Sequence, residues 1–443
     1  METTLVESTL IQNGFLVLPD RVIKGDLRLS GKRIQEFNTQ LSPMADERIL
    51  DAGGAYILPG FIDIHNHGAV GFDFTLGAYD QEKDWFNKDD TVYLEGITRA
   101  LEYFLKQGAT RILATTLAAP PTDLIQAFHL LNDYLGTDPA GLAIALAGIN
   151  LEGTFIKDAA FAGAQNPEYF QSASARLFDR LQDASGGNIR IVNIPPEHGI
   201  PGLELTSHLS GQGVIVAGGH SGAYGTATHQ AIDKGLRLAV HYFNGPNRQS
   251  YKSFSHNGAM EAFLVRDEVS LELIVDGFHV DPAYVLDAIQ RKGIDRIIPI
   301  TDSLFVNGSD TINAFSLAGI PGQVSADKQY LKVAGQMDTL FGSILTPLKG
   351  FTNLLDWMTH DRNGIWIKTH SGHSKHEALV MISRMMSGNP ARLLGLDKDQ
   401  STGAATGMIA QGYSADILVM DLTQSDQGMP SIRHCFLAGK MIY

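Results

Sequence analysis

Seven side chains in this sequence are of types that hold a divalent cation or move protons, and each stands at or near the end of an apolar run. The stretch FIDIHNHG places His65 and His67 two residues apart at the close of the run YILPGFIDI. Side chains at i and i+2 of a strand project to the same side, so the two imidazoles point together. An isolated His-x-His is more often a pair of solvated loop residues, so its meaning depends on what the rest of the chain supplies. Glu152 follows LAIALAGINL, His220 follows GVIVAGG, and His241 follows LRLAV. His279 lies in LELIVDGFHV, and Asp302 follows RIIPIT. Burying a lone charge or imidazole beside a core strand is costly, so such a set implies mutual partners.

Imidazole nitrogens and carboxylate oxygens without thiolate suit Zn²⁺, with Fe, Mn or Co as alternatives. His65, His67, Glu152, His220, His241 and Asp302 exceed what one tetrahedral catalytic ion needs, so one ion takes a subset or two ions share a carboxylate. A bound ion lowers the pKa of coordinated water and polarises a carbonyl. Asp302 is then placed to act as general base and acid, taking the water's proton and handing it to a leaving amine. His279 is left to donate a hydrogen bond to the carbonyl oxygen as charge builds there. Together these parts make an amide or ester hydrolase.

Such residues need a scaffold that brings distant strand tips together. Eight apolar, β-branched-rich segments, starting with FIDIHNHG and ending with RIIPITDS, alternate with amphipathic stretches such as ATHQAIDKG and DPAYVLDAIQRKG. Near-continuous apolar strands between helices indicate a covered parallel sheet, and eight of them close a (β/α)8 TIM-type barrel. In that barrel the C-terminal strand ends share one face, where the chemistry sits. The flanks read differently: residues 1–58 alternate polar and apolar, and 404–443 resume the style in YSADILVMD and RHCFLAGKMIY. Both ends are therefore expected to form one small β-sandwich domain, with the barrel at 59–403 inserted in it. Residues 304–338 form a long excursion after the eighth strand, read as a lid or hairpin.

At 443 residues with a formal net charge of −14, the chain is a poor partner for nucleic acid or an anionic membrane. Its single cysteine, Cys435, excludes an internal disulfide and suits a reducing compartment. METTLVESTL lacks the basic start and apolar core of a signal peptide, so a cytoplasmic protein acting on a small molecule is expected. The histidine-rich stretch His360–His376 is read as polar surface, its spacing being irregular.

On these motifs the chain resembles the amidohydrolase superfamily, and within it the N-acetylglucosamine-6-phosphate deacetylase family. PGFIDIHNHG resembles the first-strand metal motif, NLEGTF the glutamate segment, and GHSGA and HYFNG the two later metal histidines. DGFHV resembles the carbonyl-binding segment, TDS the catalytic aspartate, and GYSADILVMD the return into the β domain. The likeness covers nearly the whole chain in order. It implies hydrolysis of the acetamide of an N-acetylated amino sugar carrying a 6-phosphate, with Asn244 and Gly245 on the sugar or phosphate. It also implies a homodimer whose neighbouring loops complete the phosphate pocket.

Three departures stand out. Gln165 occupies the place of a family histidine that reaches the substrate. Lys252 aligns with the family's phosphate-binding arginine, giving a point charge in place of a planar fork, and Arg248 nearby can compensate. Asp281 stands where a second histidine is common. Alternative readings are an unphosphorylated or different N-acetyl hexosamine, an N-acyl-amino-acid or cyclic-amide hydrolase, and a non-catalytic scaffold. The second reading is disfavoured because Glu152 fills the bridging position and Lys157 lies beyond the strand end.

Overall fold

The computed structural model describes residues 8–246, 248–336, 339–363, 369–398, 404–422 and 429–443. The apolar runs form one eight-stranded parallel sheet in chain order. Its strands are β1 (Phe61–Asn66), β2 (Ala109–Thr116), β3 (Leu146–Leu151), β4 (Ile189–Asn193), β5 (Ile215–Gly218), β6 (Leu236–Ala239), β7 (Ser270–Ile274) and β8 (Ile297–Ile300). A helix follows each strand: α1 (Asp90–Lys106), α2 (Pro121–Thr137), α3 (Ala175–Ala184), α4 (Ile200–Gly211), α5 (Gly225–Asp233), α6 (Ala259–Val265), α7 (Pro282–Lys292) and α8 (Pro347–Thr359). Every residue of β1, β2, β7 and β8 is buried, as strands covered on both faces must be.

Local chemistry sets the helix ends. The carboxylate of Asp281 accepts the N–H of Ala283 and Pro282 opens α7, while Gly293 at φ +81° ends it. Lys292 then donates from Nζ to the carbonyls of Phe263, Leu264 and Arg266, satisfying the last turn of α6.

Closure of the barrel depends on a few bonds between β8 and β1. The amide of Asp302 donates to the carbonyl of His65 at 2.8 Å, and the amide of His67 to that of Ser303 at 2.7 Å. One turn deeper, the Thr301 hydroxyl donates to Asp63 Oδ2 at 2.6 Å. Burial pushes the Asp63 carboxyl up to about 6, with the hydroxyl and amide of Thr301 and the amide of His65 pulling the other way.

The termini form a separate mixed sheet of eight strands, in which Ile417–Asp421 pairs antiparallel with Tyr56–Pro59. Its core includes Leu16, Leu27, Ile57, Ile417 and Phe436. By compactness the chain divides into one unit of Met1–Ile62, Phe104–Arg111 and Pro347–Tyr443, and another of Asp63–Tyr103 and Ile112–Thr346. The unit containing the terminal sheet thus also holds the last turn of α1, the start of β2, and α8.

The excursion after β8 is a three-stranded antiparallel sheet, Ala314–Leu317, Ile320–Val324 and Leu331–Val333. It has its own core, in which the ring of Phe315 stands 5.2 Å from that of Phe305 and 5.4 Å from that of Phe341. Residues 337 and 338 of the expected excursion, and 364–368 of the histidine-rich stretch, lie outside the described residues. Among the described residues no helix is long and apolar enough to cross a membrane.

Thr301→Val removes the donor to Asp63 while keeping the side-chain shape. Leaving that buried carboxyl short of a partner is expected to cost about 1–3 kcal/mol, read as a lower urea midpoint at unchanged m-value. An unchanged midpoint would show that closure does not depend on this bond.

Candidate active site

The strand tips converge as the spacing requires. His65 lies within β1 and His67 one residue past its end, and their ring centroids are 5.5 Å apart. Glu152 directly follows β3. His220, His241 and Asp302 each stand two residues beyond the ends of β5, β6 and β8, and all three have positive φ: +49°, +25° and +52°. Such backbone costs on the order of 1–3 kcal/mol per residue and persists where the surroundings enforce it. Here it turns each side chain out of the strand path into the mouth of the barrel.

Glu152 is the hub. Its Oε1 lies 3.0 Å from His241 Nε2, 3.1 Å from His220 Nε2 and 3.4 Å from His65 Nε2. Its Oε2 lies 3.4 Å from His67 Nε2 and accepts from Gln165 Nε2 at 2.7 Å. Asp302 Oδ1 is 3.2 Å from His67 Nε2 and 3.5 Å from His65 Nε2. His220 is oriented from behind by the Phe161 carbonyl, 2.9 Å from its Nδ1.

Burial by itself opposes charge on Glu152, Asp302, His65 and His220, and proximity outweighs it. Glu152 is held well below the usual carboxylate range by His65, His220 and His241. Asp302 is lowered by His67, His65 and His241. In return Glu272 and Glu152 hold the His65 imidazole well above its ordinary value, and Glu152 raises His220.

Nitrogen and oxygen donors at this separation fit a divalent cation. Ligand atoms of His65, His67 and Asp302 lie within 4.8 Å of one another, as do those of His65, Glu152 and His241. His65 Nε2 is buried with no hydrogen-bond partner, a lone ligand atom aimed at two carboxylates. His360, His373 and His376 are exposed and belong to neither metal-capable group.

A cavity of about 630 Å³ opens over the cluster, lined by His67, Glu152, His220, His241 and Asp302 together with Gln165, Asn244 and His279. His279 Nδ1 is 2.6 Å from Asp276 Oδ2, so its other nitrogen is the one left for a ligand. Asn244 sends Nδ2 to the His279 carbonyl at 3.4 Å, and Gly245 sits behind His241, its amide on that residue's carbonyl. Gln165 is engaged at both ends, its Oε1 accepting from the Ala118 amide at 2.7 Å.

Arg248 and Lys252 stand apart from the cavity lining. Arg248 donates from Nε to the Gly222 carbonyl and its guanidinium lies 4.2 Å over the Tyr224 ring. Lys252 is exposed, its Nζ 5.9 Å from the Phe254 ring centroid. Two carboxylates absent from the sequence-based set belong to it in space: Glu272 in β7 and Asp276 behind His279. The sequence carries one trace of Glu272, a single charge inside the apolar run LELIV, without showing what it faces.

Comparison with known proteins places this geometry. The model of the amidohydrolase family matches residues 56–441. The chain belongs to the amidohydrolase family, a metal-dependent family of hydrolases acting on carbon–nitrogen bonds. Among its relatives, the N-acetylglucosamine-6-phosphate deacetylase of Bacillus subtilis is 30% identical over 69% of this chain and 72% of the relative. The protein of the same name from Lysinibacillus sphaericus is 28% identical over 84% and 83%. The Mycobacterium smegmatis N-acetyl-D-glucosamine-6-phosphate deacetylase, solved as a mutant in complex with N-acetyl-D-glucosamine-6-phosphate, superposes with a TM-score of 0.79 at 26% identity. That match covers 98% of this chain and 99% of the other.

Gln165→Leu strips partners from the Ala118 amide and from Glu152 Oε2. It is expected to lower stability by about 1–3 kcal/mol, measured by urea unfolding. Full stability in this variant would mean that the two bonds do not hold the Glu152 segment in place.

Proposed function

We propose that this chain removes the acetyl group from N-acetylglucosamine-6-phosphate, releasing acetate and glucosamine-6-phosphate. The observation that carries the reading is the convergence of His65, His67, Glu152, His220, His241 and Asp302 on one cavity, in a chain whose relatives bear that enzyme's name.

His65, His67, Glu152, His220, His241 and Asp302 are the residues that would hold one or two divalent ions, with Zn²⁺ favoured by the nitrogen–oxygen donor set. Such an ion supplies Lewis acidity and makes a hydroxide available near neutral pH. Asp302, kept ionised by its imidazole neighbours, accepts a proton from the attacking water and returns it to the amine nitrogen as the C–N bond breaks. His279 faces the acetyl carbonyl oxygen. Asp276 engages its Nδ1, so Nε2 is the nitrogen left to donate a hydrogen bond to that oxygen as charge builds there. Asn244 and Gly245 border the sugar.

Arg248 and Lys252 read the phosphate from the loop after β6. Tyr251 and Phe254 on that loop are 85% and 82% exposed, a surface suited to a second copy of the chain in a homodimer. The lone buried Cys435 accords with a cytoplasmic setting.

Protein loaded with Zn²⁺ is expected to release acetate from N-acetylglucosamine-6-phosphate, and inactivity on every N-acetyl hexosamine would remove the substrate assignment. Asp302→Asn should lower kcat by about 10²–10⁴-fold, the range for a lost general base, while keeping more bound metal than His220→Ala. Near-normal turnover in Asp302→Asn would end its role as proton carrier.

Lys252→Ala should raise KM for the phosphorylated sugar far more than for the plain one. Equal effects on the two substrates would show that Lys252 does not read phosphate.

A further inference from the structure

Glu272 lies in the middle of β7 with no exposed surface, a carboxylate in a strand otherwise built of Ser270, Leu271, Leu273 and Ile274. Taking a carboxylate out of water costs several kcal/mol, so in this strand it needs fixed donors. The donors are specific. Oε2 lies 3.0 Å from His65 Nδ1 and accepts the backbone N–H of His241 at 3.0 Å. A single oxygen of β7 thereby ties the imidazole rising from β1 to the residue that turns out of β6.

From this geometry we infer that Glu272 is a positioning residue for the metal centre, fixing the tautomer and ring plane of His65 and the backbone of His241. The inference rests on the metal reading given above. An acceptor at Nδ1 keeps the proton on that nitrogen and leaves Nε2 as the ligand atom. His65 Nε2 faces Glu152 Oε1 at 3.4 Å and Asp302 Oδ1 at 3.5 Å, so the fixed tautomer offers its lone pair to the same space as the two carboxylates. The same Glu272 oxygen holds the His241 amide, and with it the left-handed turn at φ +25° that sends His241 Nε2 to within 3.0 Å of Glu152. Glu272 does not line the cavity, and its effect passes through two other residues.

Zn²⁺ affinity of the full-length chain, measured by competition with a chromophoric chelator, tests this. Glu272→Leu keeps the volume and removes the oxygen that accepts both bonds. It is expected to weaken Zn²⁺ binding by about 10–100-fold, while Glu272→Gln, whose amide oxygen still accepts both N–H groups, retains most of the affinity. A purely structural role would lower the urea midpoint of Glu272→Leu and leave the affinity of its folded fraction unchanged, and that result overturns the inference. Should Glu272→Leu not fold, long-range ¹⁵N–¹H correlation on Zn²⁺-loaded parent decides. His65 protonated at Nδ1 supports the assignment, and His65 unprotonated there overturns it. Parent protein that takes up no Zn²⁺ would overturn the metal reading itself, whereas tight binding by parent and Glu272→Leu alike would overturn only the role of Glu272.

Discussion

The structure around the barrel mouth depends on one electrostatic constraint: three carboxylates and four imidazoles are buried together and must satisfy one another. Glu152, Asp302 and Glu272 would each be destabilising alone in an apolar interior. Placed among His65, His67, His220 and His241 they form a lattice in which each carboxylate faces imidazole nitrogens at 3.0–3.5 Å. The cluster can be held only if many strand tips arrive in register, and a parallel barrel supplies that arrangement. Fold and site are consequently one problem. The Asp63–Thr301 bond that closes β1 on β8 lies directly below the two residues, His65 and Asp302, that its closure brings together.

Backbone strain at the tips follows from the same constraint. A strand continued past its end would carry its side chains along the barrel wall. The left-handed conformations at His220, His241 and Asp302 break that path and redirect the side chains inward. Supporting groups then stop the rings from turning: the Phe161 carbonyl behind His220, Asp276 behind His279, and Glu272 behind His65 and His241. Of these supports, Asp276 and Glu272 lie outside the cavity lining, while Phe161 is part of it.

Much of this was legible from the residues. Apolar runs with β-branched residues marked all eight strands, and the His, Glu and Asp residues at the ends of five of them marked the cluster. The pairing of the terminal strands was expected from the likeness of the two ends, although the paired strands Tyr56–Pro59 and Ile417–Asp421 are mostly buried and do not alternate. Other features were hidden for physical reasons. Glu272 is masked because a carboxylate within an apolar strand looks like a solvent-facing alternate until its neighbours are known. Gln165, placed by resemblance as a substrate contact, lines the cavity with its amide already engaged by Ala118 and Glu152. Arg248 and Lys252 were placed by register along a loop, where no periodicity ties a residue to a direction, and both lie off the cavity lining. The compact units depend on packing between distant segments, which local pattern does not report.

The central claim is that these strand-tip residues are the ligands of a single metal centre. Anomalous diffraction at the zinc edge, on crystals of Zn²⁺-loaded protein, addresses it most directly. The account predicts anomalous density bounded by His65, His67, Glu152, His220, His241 and Asp302. Zinc density confined to other parts of the molecule, with this cluster unchanged and metal-free, would contradict it.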